Sequence, residues 1–434
     1  MASVSAESFG AVGDNAANNA TAIQAAIDAV AASGGGLVTF GDGYFCSGPL
    51  TLKSRVKLKG ASKNSTELKL ICNSNATFIK SQGFDGLTGQ NKWNESDGVA
   101  CFVGFSDIRI NGNKALQTAG DGVQLYAKGI DISDAIVFDC FGRGIYSECG
   151  IDGGVSAWPT YPEGAIDGLT ISGCGSHGWH NRGPHDLNVR SLTLLINGGD
   201  GMRVESSASY MSSADFGFLH SYANTGRGLN LIGSEIRAAS LRLEDNYGEG
   251  LYASGSTNIQ IAALHLFNNC RSTGAFQGVL DATSHRAVVA SLVARQPGRA
   301  AAGGLLVRSH FNRISGTIAG LGAASTGTAF DVDACGFNNV DLIIADYAGA
   351  GGVGLRTQET SQLFWTQIRA VVSNCATLWR NGVVGANNHF DINGSANAGQ
   401  TQFSGVGPNT GSLREVFKVD LWKSGSATVQ YGTA

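Results

Sequence analysis

A short signature returns along this chain at nearly constant intervals: a glycine, then residues that alternate apolar and polar. Strong copies are marked by Gly122, Gly144, Gly178, Gly201, Gly228 and Gly250, and weaker ones by Gly278, Gly304, Ala329, Gly354 and Leu378. The steps run from 22 to 28 residues, with one exception of 34 between Gly144 and Gly178. Units of this length, each holding several short strands, stack as the coils of a parallel β-helix. Neither helical periodicity nor a leucine-rich pattern is present. At 434 residues the chain would otherwise suggest about three domains, but a solenoid lengthens by adding coils. The prediction is an all-β, single-stranded right-handed parallel β-helix.

A second register supports the first. Four residues before the marker lie Cys140, Cys174, Asn197, Asn224 and Asn246. Small polar residues stacked at one turn bond to each other and to turn backbone, so these cysteines and asparagines read as structure. Near the start, Ile23, Ile27 and Val30 fall on one face of a helix that Gly34-Gly35-Gly36 stops. Such a helix would cover the unpaired edge of the first coil. The organisation expected is 1–36 for the opening segment and capping helix, 37–395 for the β-helix, and 396–434 for terminal strands. In the last part Glu415–Trp422 alternates as a strand does.

Composition removes several classes. Lys plus Arg number 30 and Asp plus Glu 34, a net charge of −4, with no basic stripe, so nucleic acid is not an expected partner. No apolar run approaches the length that spans a membrane. Nine cysteines, an odd number without paired C-x-x-C spacing, argue against a disulfide framework or zinc site. The first residues lack the basic and apolar regions of a secretory signal. Either a signal precedes this numbering, or the protein leaves the cell with a virion.

The opening segments Phe9-Gly10-Ala11-Val12-Gly13-Asp14, Thr21–Asp28 and Gly34–Val38 resemble those of the pectate-lyase-like β-helix superfamily. That group holds polysaccharide lyases, polygalacturonase-like hydrolases, alginate epimerases and phage tailspike depolymerases. The resemblance is clear over about the first 60 residues and departs at Gly41-Asp42-Gly43-Tyr44 and at Asn18-Asn19. It implies an extracellular or virion-associated protein acting on a polysaccharide, and a homotrimer as one assembly. No cofactor is expected, although calcium held by separate coils would leave no local motif.

Strand alternation sends every second side chain outward. Two positions after each marker stand Gln124, Tyr146, His180, Arg203, Asn230, Tyr252 and Leu280; four positions after stand Tyr126, Glu148, Arg182 and Glu205. This crowding of Tyr, His, Arg and Glu is the main functional signal. Glu148 and Glu205, two coils apart, should lie roughly 10 Å from each other, near the range of about 6.5–9.5 Å that inverting glycosidases use. The first expectation is therefore a glycoside hydrolase with Glu205 and Glu148 as its acid pair. The second is a uronate lyase or C5-epimerase with His180 or Tyr146 as base and Arg203 and Arg182 on the carboxylate. The third is a glycan-binding β-helix without catalysis. Alginate epimerases carry an aromatic-Gly-Phe-Asp-Pro-His strand; His177-Gly178-Trp179-His180-Asn181-Arg182 is similar in register only.

Tyr146, Tyr252, Asn230 and Arg182 are expected to bind substrate. Trp158 in the long insertion and His185 beyond the His180 strand are expected beside them. Trp179 points inward and is expected to be core. Asp331 and Asp333 form a second outward acid pair.

Overall fold

The computed structural model describes residues 2–88, 95–148, 163–183, 186–206, 212–272, 275–297, 301–333, 335–357, 363, 365–381, 388–396, 401–405, 416–423 and 428–429. The chain is a parallel β-solenoid of about 12 turns with few helices. It divides into two units, Met1–Gly226 and Arg227–Ala434.

In the later coils of the first unit, each turn gives a short strand to a front sheet and a longer one to a back sheet. The front strands Ile145–Glu148, Trp179–Arg182 and Met202–Glu205 pair in parallel. Their register sets Tyr146 beside His180 and His180 beside Arg203; Glu148 lies beside Arg182, and Arg182 beside Glu205. This is the alignment the marker spacing predicts. The inward positions Ile145, Trp179, Met202 and Val204 are completely buried, which is what a two-residue period achieves when one face packs on a core. The marker glycines are needed for space. A Cβ on Gly144 would lie 2.3 Å from Ile171 and 2.7 Å from the Gly178 carbonyl oxygen.

The polar ladder forms. Asn197 Oδ1 accepts from the Cys174 amide at 3.1 Å, and Asn224 Oδ1 accepts from Asn197 Nδ2 at 2.9 Å. In the second unit Asn246 Nδ2 donates to Asn269 Oδ1 at 2.8 Å. Cys140 and Cys174 fill the same position and are buried; both thiols donate to backbone carbonyls. All cysteines among the described residues are free thiols. Trp179 is core, as its inward register requires. Its Nε1 donates to Ser147 Oγ at 2.8 Å, Ser147 donates to Asn181 Oδ1 at 2.7 Å, and Asn181 Nδ2 donates to Ser212 Oγ at 3.0 Å.

The capping helix spans Ala20–Ala32 and buries Ile23, Ala26, Ile27 and Val30. Gly34 and Gly35, at φ of 89° and 106°, take the left-handed backbone that ends it. Its Gln24 closes the sheet edge directly: Oε1 accepts from the Thr51 amide at 2.8 Å, and Nε2 donates to the Thr51 carbonyl at 3.1 Å. Asn18 and Asn19, the departures noted above, have structural work here. Asn18 Oδ1 accepts from the Gly48 amide, and buried Asn19 bonds to Val12 and the Cys46 carbonyl.

One coil of the second unit departs from the expected register. Tyr252 pairs with Val279, and Val279 with Leu306. The marker position is therefore Gln277, whose side chain accepts from the Asn269 amide. The slip of one residue turns Leu280, expected outward, into the core, where it is 1% exposed. Past residue 395 the ladder continues: Val416–Lys423 pairs in parallel with His389–Ala396. Among the described residues no helix is long and apolar enough to cross a membrane.

Candidate functional site

The centre of the front face in the first unit is an ion cluster built on two adjacent strands. His180 Nε2 lies 3.1 Å from Glu205 Oε2, and Arg203 Nε donates to the same oxygen at 3.0 Å. The His180 hydrogen bond, opposed by burial and reinforced by the Arg203 charge, holds the Glu205 carboxyl at about 2. Glu205 is therefore an anion at any ordinary pH and can only accept. That assigns the shared proton to His180 Nε2 and leaves Nδ1 with a lone pair when the ring is neutral. All three side chains keep partial exposure, so the base is reachable.

The neighbouring strand behaves differently from expectation. Glu148 has the outward register but is completely buried. A single helical turn, Phe84–Leu87, together with Thr88, lies over it. Phe84, Leu87, Val99, Tyr126 and Tyr146 make an apolar cluster there, with Phe84 set edge-on to Tyr146 at 6.0 Å. Beneath this roof the Tyr146 hydroxyl donates to Glu148 Oε2, and Thr88 Oγ1 donates to the same oxygen at 3.1 Å. Burial and the Glu148 anion push the Tyr146 hydroxyl up to about 12. Tyr146 thus remains a phenol at neutral pH. Arg182 bonds to Tyr146 and faces both carboxylates; burial opposes its charge, yet these contacts raise its pKa.

Several neighbours were not singled out from sequence. The Arg143 guanidinium lies 3.9 Å over the Tyr146 ring and is held by Asp121 at 2.7 Å. The His177 ring meets His180 edge-on at 5.6 Å. Its Nδ1 accepts from the Asp200 amide at 2.9 Å, and burial lowers its pKa despite the Asp200 carboxylate, so it is neutral. Arg143 and His177 each sit one residue before a marker glycine, a position that the two outward registers omit. Thr88 and Phe84 left no signal.

The remaining candidates do not join this cluster within the first unit. Asn230 and Tyr252 belong to the second unit. Asn230 is 1% exposed although its register is outward. Tyr252 has Arg227 over its ring at 3.7 Å and donates to Asp281 at 3.1 Å. Trp158 and His185 lie outside the described residues. Asp331 and Asp333, expected outward, are buried and paired with Arg356 and Arg308. Among the described residues no three His, Cys, Asp or Glu side chains gather as metal ligands.

The depressed Glu205 carboxyl makes a stability prediction. A group with a folded-state pKa of about 2 against an ordinary 4.5 contributes stability above pH 4.5, and that contribution is lost as pH falls toward 2. The stability difference between wild type and Glu205→Gln, measured by urea unfolding, should shrink as pH falls from about 4.5 toward 2. A difference unchanged down to pH 2 would show that the ion pair does not form.

Residues 3–230 match the family described as rhamnogalacturonase A/epimerase, pectate lyase-like. Over 115 residues the chain is 34% identical to mannuronan C5-epimerase AlgE3 and 35% identical to AlgE2, both of Azotobacter vinelandii. Each alignment covers 24% of this chain, but only 6% and 10% of those relatives. Solved structures share the fold. The enzymatically active domain of bacteriophage CBA120 tailspike protein 2 superposes with a TM-score of 0.53 at 13% identity, over 74% of this chain and 48% of that one. Pre-mature bacteriophage phi29 gene product 12 gives 0.52 at 14%, over 99% and 56%. With more than half its length matched, the chain belongs to the rhamnogalacturonase A/epimerase, pectate lyase-like family of parallel β-helix proteins.

Proposed function

We propose that this protein removes the C5 proton of uronate residues in an acidic polysaccharide, as a C5-epimerase or lyase. The observation that carries this reading is the His180–Glu205–Arg203 cluster beside a sealed Glu148. An acid pair for hydrolysis needs a carboxyl that can reach the glycosidic oxygen. Glu148 lies under Thr88 and Tyr146 with no exposed surface, so it holds Tyr146 and Arg182 in place instead. The mannuronan C5-epimerase relatives perform a reaction of the proposed kind. A phage tailspike domain with the same fold fits an extracellular or virion-borne setting.

The chemistry follows from the geometry. Abstraction next to a carboxylate requires that its charge be offset. Arg203 spends some of its donors on Glu205, and its remaining N–H groups, with those of Arg182, can hold the substrate carboxylate. His180 Nδ1 takes the proton, and the Glu205 anion stabilises the imidazolium that forms. Tyr146, a phenol whose proton is held by Glu148, cannot take one at neutral pH. Return of a proton to the opposite face inverts C5; loss of the C4 oxygen instead cleaves the chain.

The test is incubation with mannuronan, alginate and polygalacturonate in D2O, following H5 loss by NMR, unsaturated-uronate absorbance and reducing ends. Loss of H5 is expected, with deuterium taken up at C5 by an epimerase. With no new ends the enzyme is an epimerase; with absorbance and ends rising together it is a lyase. New reducing ends with H5 intact and no unsaturated-uronate absorbance would overturn the reading in favour of hydrolysis.

A further inference from the structure

The solvent face of the back sheet in the later coils of the second unit differs in chemistry from that in the first unit and from the opening coils of the second, where Arg242 pairs with Glu244 at 2.8 Å. In the first unit it carries ion pairs, Lys57–Asp131 at 2.9 Å, Lys59–Asp107 at 2.6 Å and Arg190–Asp167 at 3.1 Å. In the second unit the register places Val293, Thr317, Ile343 and Val371 side by side on four strands. Val293, Ile343 and Val371 are 39%, 54% and 51% exposed. Contiguous exposed aliphatic rows are uncommon on soluble monomers and mark interaction surfaces.

At the turn leading into these strands stands a stack of aromatic rings on consecutive coils. Phe311 and Phe337 lie 4.8 Å apart at 7°, and Phe337 and Trp365 6.5 Å apart at 6°. All three have left-handed backbone, with φ of 60°, 58° and 50°, a conformation uncommon for bulky residues. Each is at least half exposed. Asn258 and Arg286 hold the same place on the two preceding coils. Local folding does not need aromatic rings here. Because the rings lie face to face, the stack presents mainly ring edges outward. It gives an apolar ridge beside an apolar sheet.

We propose that this face docks a second copy of the chain. Aromatic enrichment and depletion of charge are the composition of interface cores. The occupant is indicated by the charged row beside the aliphatic one, where Asp341, Arg369 and Asp391 alternate on successive strands. Among the described residues no ion pair joins these three. Two such rows set antiparallel and offset by one coil place each copy's Arg369 against an acid of the other. A self-complementary patch of this kind is what an isologous contact requires.

The experiment is sedimentation velocity of the full chain at micromolar concentration, beside the double variant Ile343→Lys/Val371→Lys and the single variant Phe337→Ser. Wild type should run at twice 44.8 kDa. Both variants should keep the wild-type circular dichroism and raise the dissociation constant roughly 30-fold or more, the size of an interface hot spot. A monomeric wild type, or variants that associate as wild type does, would overturn the proposal. So would variants that change only retention on immobilised polysaccharide, since the face would then belong to the glycan.

Discussion

Replacing His180 with alanine should lower the rate of C5 exchange about 10²–10⁴-fold, the usual worth of a positioned general base, with substrate affinity changed little. The ring supplies the base at Nδ1, and no neighbour can take over. Tyr146 is held as a phenol, and the His177 Nδ1 lone pair is already occupied by the Asp200 amide. Glu205→Gln should be less severe, because an amide oxygen can still accept from Nε2 but no longer balances an imidazolium. Glu148→Gln should be milder again, since Tyr146 and Thr88 would retain a partner. This order separates the mechanisms. A paired-acid hydrolase would lose as much at Glu148 as at Glu205 and less at His180.

Trp179→Ala should cost about 3–5 kcal/mol of stability, the range for removing a large buried aromatic side chain. The indole is completely buried, so the coil stack cannot collapse around the space without moving two adjacent strands. Its Nε1 also anchors the Ser147–Asn181–Ser212 chain of hydrogen bonds, and losing one member leaves buried polar groups poorly paired. Trp179→Phe should recover most of the packing and lose only about 1 kcal/mol for the missing donor. Urea unfolding of the two variants checks this. A loss below about 1 kcal/mol for alanine would mean that the interior repacks, contrary to the density of protein cores.

What could be read from the sequence is what depends on periodicity. The step between markers fixes which residues stand side by side, so the pairs Tyr146–His180 and Arg182–Glu205 followed without any structure. The inward register of Trp179 and the asparagine ladder followed for the same reason. What could not be read is what covers an outward face. Alternation puts Glu148 on the outer side but is silent about Phe84–Thr88, a segment 60 residues earlier whose Phe-Asp-Gly-Leu turn carries no repeat. The same gap explains Asn230 and Asp331, outward by register and buried in fact. At Gly278 the strand is out of phase with the marker by one residue. Gln277 occupies the marker position, and the adjacent glycine drew the count one residue too far.

Gln24 has a consequence for how copies of this protein can meet. A stack of parallel strands is a template at both ends, and two copies placed head to tail could continue each other's hydrogen bonding into a filament. Such growth needs unsatisfied backbone at both meeting surfaces. At Thr51 the first strand of one sheet is already answered by the amide of Gln24, which mimics a next strand there, with the capping helix behind it. At that residue an incoming strand finds both backbone groups taken. A single amide side chain thus blocks one point of the edge at which a repetitive stack could be continued.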